Sequence, residues 1–190
     1  MAGITPRGLA RRERLLSAAA ELVAQRGFHA VGIGDIGAAA GVTGSAIYRH
    51  FSSKQEILVA LFDAVLDDLL DGARSAVREA DGAEATVRAL VCWHVDFALR
   101  DRSVIAVYDQ ESHNLPEDDR QRFRRKQRAY VELWVDAVVP LRPDLSRPAL
   151  TAAVHAVFGL LNSVSDHATR VPDSVLAALL RDMALGALRM

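Results

Sequence analysis

An all-α fold is predicted for this 190-residue chain: an N-terminal three-helix head containing a helix-turn-helix, followed by a larger helical body. Three observations predict it. Apolar residues recur at helical spacing in nearly every segment, no segment alternates with period two between turn residues, and two short N-terminal helices are joined by a Gly-containing turn. The expected division is 1–54 for the head and 55–190 for the body, with no internal repeat or low-complexity tract.

Each element has a local reason. In "ERLLSAAAELVAQRG", Leu15, Ala19, Leu22 and Val23 share one face and Gly27 stands at the C-cap, which predicts a first helix over about 11–26. "GDIGAAAG" predicts a short second helix near 34–40, with Asp35 in its first turn and Gly41 at the following turn; a third spans about 44–51. Ser53 and Glu56 have capping-box spacing, and Ile57, Leu58, Leu61, Phe62, Val65, Leu69 and Leu70 form the stripe of a fourth helix over about 54–79. Breaks at "EADGAE", "LRDRS", Asn114-Leu115-Pro116, "PLRPDLSRP" and "TRVPDS" delimit helices near 83–100, 103–112, 117–139, 147–168 and 173–188.

Charge is divided unevenly. Residues 1–54 carry seven Lys/Arg against three acids, a net of +4, while the remainder carries -5. A basic end on an acidic body favours a polyanionic partner for that end, although a solvated basic arm has the same composition. The lone Cys92 excludes an intrachain disulfide and suits a reducing cytoplasm. The N-terminus lacks the apolar core of a signal peptide, and no apolar run is read as reaching the roughly 20 residues of a membrane span, so a cytoplasmic protein without membrane partners is expected.

On a helix beginning near Gly44, Ile47 and Phe51 lie four apart and can face the core, leaving Ser45, Tyr48 and Arg49 on another face. An ordinary amphipathic helix also has a wet side. A recognition helix needs these residue types, because hydroxyls and cations must meet phosphates and base edges in the major groove.

"RGFHAVGIGDIGAAAGVTGSAIYRHFSSKQEIL" resembles the N-terminal signature of the tetracycline-repressor (TetR) family, through G-x-x-A, A-x-x-A-G-V and Y-x-H-F-x-x-K. The resemblance covers about residues 11–62. It implies that Thr43, Gly44 and Ser45 approach base edges, that Tyr48, His50 and Lys54 bind phosphates with Arg49 beside them, and that Arg7, Arg11 and Arg12 of the arm add backbone or minor-groove contacts. A helix N-terminus attracts phosphate, and a lysine adds a full charge there. Two positions depart from the pattern: Gly32 stands where Ser or Thr commonly caps the second helix, and Gly34 where a longer side chain often reaches DNA. Weaker capping, modest base readout per half-site and a need for dimerisation follow.

The resemblance further implies a homodimer through 147–168 and 173–188, acting as a repressor on a palindromic double-stranded operator and released by a small-molecule effector. "LTAAVHAVFGLLNSV" and "VLAALLRDMALGALRM" are apolar over more than one face, which suits either a second packing partner or full burial in the core. The family's pocket lies among the middle helices, where Trp93, His94, Phe97, Tyr108, Phe123, Tyr130 and Trp134 are core or pocket residues. "RQRFRRKQR" puts six cations in nine residues, with Arg120, Arg124 and Arg128 on one face. This ridge is either solvated and paired, with Asp118 and Glu132 as neighbours, or an anion site. "IAVYDQESHNL" with "RRKQRAYVELWVDAV" resembles the acyl-CoA-responsive subgroup, which implies Trp93, Phe97, Tyr108 and Trp134 around an acyl chain and Arg124 and Arg128 on phosphates. The alternatives are a repressor of an efflux or resistance gene answering a hydrophobic drug-like ligand and, more remotely, a helical carrier or scaffold without DNA binding.

Catalysis is not expected. "SDH" at Ser165–His167 has triad residue types, but helix neighbours point apart, and no nucleophile elbow, Walker loop or paired-Cys motif occurs. Asp109, Glu111 and His113 are metal-ligand types whose alternate positions diverge by about 200° on a helix. Neither a metal nor another cofactor is expected.

Overall fold

The computed structural model describes residues 6–42, 47–165 and 170–188, with side chains from Ala10 onward. Among them are eight α-helices and no strand: α1 (Pro6–Arg26), α2 (Ile33–Ala39), α3 (Lys54–Glu79), α4 (Ala83–Arg100), α5 (Arg102–Glu111), α6 (Glu117–Val138), α7 (Arg147–Asn162) and α8 (Asp173–Ala187). Helix α1 begins five residues before the expected start, because a proline at the first helical position gives up an N–H that has no intrahelical partner there. Its end is as expected: Gly27 adopts φ +78 and its N–H donates to Val23 O at 2.8 Å.

The cap of α2 is half of a capping box. Gly32 has no side chain to offer, but the Asp35 carboxylate accepts from the Gly32 N–H at 2.8 Å. At α3 the sequence gives Ser53–Glu56 box spacing, and one arm forms: Ser53 Oγ accepts from the Glu56 N–H at 3.1 Å. The return arm reaches one residue further back, where the Glu56 carboxylate accepts from both the N–H and the hydroxyl of Ser52 at 2.6 Å. Those two bonds hold the Glu56 pKa below the usual carboxylate value, with the hydroxyl contributing most.

Two apolar cores result. The head core gathers Leu15, Ala19 and Val23 of α1, Ile36 of α2, Ile47 and Phe51, and continues past residue 54 into Ile57, Leu61 and Phe62 of α3 and Val104, Val107, Leu115 and Phe123 of the body. The body core is built from α3, α4, α6, α7 and α8 around Leu90, Val91, Trp134, Val154 and Leu180. Helix α3 spans both cores, and α5 lies against α1. The expected boundary at 54–55 falls at the first residue of α3, so head and body share one continuous rod.

The seventh helix ends sooner than expected: α7 stops at Asn162 and a 3-10 turn carries Ser163–Ser165, while residues 166–169 fall outside the description. By length and composition, Arg147–Ser165 is apolar enough to cross a membrane, 19 residues at mean hydropathy 1.3, contrary to the expectation of no such run. Here the segment carries α7, with Leu150, Val154, Val157 and Leu161 buried against α6 and α8.

Candidate nucleic-acid interface and effector cavity

The helix-turn-helix is held by one close approach. A Cβ placed on Gly37 would lie 2.5 Å from Ile47 Cδ1 and 3.1 Å from Val42 O, so only glycine lets α2 sit this near the following segment. Ile47 is fully buried and Phe51 nearly so, and the Phe51 N–H donates to Ile47 O at 2.9 Å. That anchoring turns the next side chains outward: Tyr48 is 62% exposed, Arg49 is exposed and His50 is half-buried. Thr43, Gly44 and Ser45, the residues expected on base edges, fall outside the described residues, as does the Arg7 side chain. A Cβ on Gly34 would meet nothing within 4 Å.

The flanking cations divide into two groups. Arg11 is exposed on α1. Arg12 is half-buried with its guanidinium 5.5 Å from the centre of the Phe51 ring. Lys54, expected on a phosphate, is turned into the head: its ammonium donates to Phe28 O and, at 2.9 Å, to Val31 O, and lies 4.2 Å from the centre of the Phe28 ring. Beyond the Gly27 cap, the backbone carbonyls of Phe28 and Val31 lie outside any helix, and the lysine satisfies them.

A cavity of about 300 Å³ opens among α3, α4, α5, α6 and α7. Phe62, Leu66, Phe97, Ile105, Val131 and Phe158 supply apolar wall, and Tyr108, Asp109, Gln127 and His155 also line it. On one side stands a polar cluster: His94 Nδ1 is 2.9 Å from the Tyr130 hydroxyl, and His94 Nε2 is 3.0 Å from Asn162 Oδ1. Burial pulls the His94 pKa down to about 4, so the imidazole is neutral at pH 7, and burial raises the Tyr130 phenol well above its usual value.

Of the effector residues read from the sequence, Phe97 and Tyr108 line the cavity. Four do not. Trp93 packs its indole into the space above Gly72, where a Cβ would come within 2.0 Å of it, and donates Nε1–H to Leu69 O at 3.0 Å. Trp134 is wholly buried behind the wall, edge-on to His94 and Phe158. Arg124 and Arg128 are exposed on α6, one turn from the lining residues Gln127 and Val131. The rest of the basic ridge is largely paired, but with acids other than those expected: Arg122 and Lys126 with Asp63, Lys126 also with Asp67, Arg122 also with Asp119, and Arg120 with Glu117. Glu132 instead pairs with Arg147. His94 and Tyr130 were legible as aromatic bulk, whereas Asn162 gave no signal, since only the fold brings it across from α7.

Helix α5 connects cavity to head. Val104, Ile105 and Tyr108 line the cavity, and Glu111, the last residue of the helix and 7% exposed, accepts from the Phe28 N–H at 3.3 Å and from Asn114 Nδ2 at 2.8 Å. Asn114 O in turn accepts from Gln55 Nε2 at 2.8 Å. Glu111 thus serves the head–body junction, and Asp109 faces the cavity, which separates two of the three metal-ligand types noted in the sequence.

Comparison with known proteins agrees with this architecture. Residues 15–61 match the family described as "Bacterial regulatory proteins, tetR family", and residues 80–166 match "Tetracyclin repressor-like, C-terminal domain". The chain is 32% identical over 126 residues to the HTH-type transcriptional repressor KstR2 of Rhodococcus jostii, covering 66% of this chain and 62% of that protein. It is 40% identical over 91 residues to the HTH-type transcriptional activator FasR of Mycolicibacterium smegmatis, covering 48% and 42% respectively. The matched stretches thus span less than two thirds of these relatives. The crystal structure of AibR in complex with isovaleryl coenzyme A and operator DNA shares the fold, with TM-score 0.75 at 22% identity over 91% of this chain and 97% of that one. The helical head and body and both family matches agree: the chain belongs to the TetR family of bacterial transcriptional regulators.

Proposed function

We propose that the protein is a cytoplasmic repressor that occupies a palindromic operator as a homodimer and leaves it when an acyl-CoA thioester enters the cavity. One observation carries this reading: α5 lines the cavity and, at its C-terminal end, grips the backbone of the DNA-binding head through Glu111. A ligand that displaces α5 therefore acts on the head, and it weakens DNA binding if it favours the displaced state, typically by about 1 to 3 kcal/mol. Arg124 and Arg128 stand within one turn of the lining on the outer side of α6, where the phosphates of a CoA can meet them. The solved AibR complex, with isovaleryl-CoA and operator DNA, supports the same class of effector.

The dimer is supported by an uncovered apolar face. Val175, Leu179 and Met183 recur every four residues along α8 and are each about half exposed, beside a groove lined by Ala153, Ala156, Leu160 and Ala187. Two-fold symmetry would set the recognition segments about 34 Å apart, one turn of DNA.

A hydrophobic drug-like effector is the second reading, favoured by the mainly apolar walls and by the pairing of Arg120, Arg122 and Lys126 within the protein. Fluorescence anisotropy on DNA from upstream of the gene, at two salt concentrations, separates the readings. Salt-dependent binding reversed by octanoyl-CoA, and not by free CoA, is the expected result. Specific binding indifferent to octanoyl-CoA would transfer support to the drug-like effector.

A further inference from the structure

We infer that the His94–Tyr130–Asn162 cluster is a recognition site for an uncharged carbonyl oxygen, so that the part of the effector inside the cavity is a neutral acyl or keto group and not a carboxylate. The inference rests on the cavity being the effector site, but not on the effector being a CoA ester.

The hydrogen-bond directions follow from the geometry. Asn162 presents Oδ1 to His94 Nε2, so Nε2 carries the proton and donates. His94 Nδ1 is then the acceptor of a hydrogen bond that the Tyr130 O–H donates. This polarises the three groups in one direction, from Tyr130 through His94 to Asn162, and leaves the Asn162 NH2 group as the remaining donor; among the described residues it donates to none. His94 and Tyr130 are almost wholly buried, so the cluster is a fixed polar spot on the wall, set among Phe97, Val131 and Phe158 and apart from the other polar lining residues Tyr108, Asp109, Gln127 and His155.

Charge decides what such a spot accepts. Among the described residues no Lys or Arg lines the cavity; the charged or titratable side chains on its wall, besides the tyrosines and His94, are Asp109 and His155. A carboxylate entering here would lose its hydration beside the Asp109 side chain with no described lysine or arginine on the wall to replace it, whereas a carbonyl oxygen needs only the amide donor. Size sets a second limit: 300 Å³, at about 30 Å³ per water-sized group, holds about ten non-hydrogen atoms, which suits a medium-length acyl chain or a small fused-ring ketone.

The test uses the intact protein and three probes of matched length without CoA: methyl octanoate, the corresponding ether 1-methoxyoctane, and octanoate. Calorimetry supplies affinities, and fluorescence of Trp134, which touches His94 and Phe158, reports occupancy. The ester is expected to bind about tenfold tighter than the ether, the scale of one buried hydrogen bond, and tighter still than octanoate at pH 7. Asn162→Leu is expected to bring ester and ether to equal affinity while leaving ether binding intact. Tyr130→Phe, a milder change retained in case Asn162→Leu does not fold, is expected to narrow the same ratio, which a loss of packing alone would not alter. Equal affinity of ester and ether in the unaltered protein, preference for octanoate, or no binding of any probe would each overturn the inference. Octanoyl-CoA binding no tighter than methyl octanoate would instead remove the CoA reading and leave this one standing.

Discussion

His94 ties stability to pH through burial. The unfolded chain takes up a proton at this side chain near pH 6.5, the folded chain only near pH 4. Stability is therefore full above 6.5 and declines as pH falls toward 4, by up to about 3 kcal/mol if no other group compensates. Urea midpoints measured between pH 4 and 7 should show this decline, and His94→Gln should flatten it. Lys54 supplies a second residue-scale prediction. Because its ammonium is spent on Phe28 O and Val31 O, Lys54→Met should cost about 1 to 3 kcal/mol in folding stability. The salt dependence of operator binding should hardly change; a slope reduced by about one charge would return Lys54 to phosphate contact. The sequence identified this lysine as important, but its polar role toward a loop 23 to 26 residues away was not legible, because proximity across that distance is a property of the fold.

At the scale of elements, two glycines in helices have opposite meanings. Gly72 lies mid-helix in α3, where Ala is intrinsically better by about 1 kcal/mol, yet its missing Cβ is the seat of the Trp93 ring. Gly72→Ala should therefore destabilise the α3–α4 pair by about 1 to 3 kcal/mol, read as a lowered thermal midpoint. Gly34 has open space where a side chain would go, so Gly34→Arg should fold normally. It should also steepen the salt dependence of DNA binding by about one unit, as a cation at the position where longer side chains of the family pattern often reach DNA. Helix positions were readable from apolar periodicity and from Gly27, Ser53 and Pro116, with α3 and α4 matching at both ends. The Ser53 capping box was readable only in part, since spacing does not say that the Glu56 carboxylate will choose Ser52.

For the whole molecule, the uncovered stripe of α8 and the link through α5 make separable predictions. Leu179→Glu places a charge in the proposed two-fold interface without touching the cavity. Sedimentation should show a monomer that has lost operator affinity but retains effector binding; an unaltered dimer would move the interface elsewhere. Glu111→Ala removes the acceptor for the Phe28 N–H, so effector binding should persist while its effect on DNA binding shrinks. The combination of these two variants tests whether assembly and signal travel through different parts of the body.

By itself the sequence determined the all-α class, the order of the described helices and most of their ends, the basic head and the family membership; the expected third helix over 44–51 lies partly outside the described residues. These depend on short-range spacing, caps and local motifs, and each is carried by residues within a turn or two of one another. Only the tertiary structure decided that Lys54 faces inward, that Trp134 sits behind the cavity wall and not in it, and that Arg122 and Lys126 are held by acids of α3. The same holds for the joining of His94, Tyr130 and Asn162, drawn from three helices over as many as 68 positions of sequence separation. A side chain's type limits which bonds it can form, but which partner stands within 3 Å is set by how helices distant in sequence cross.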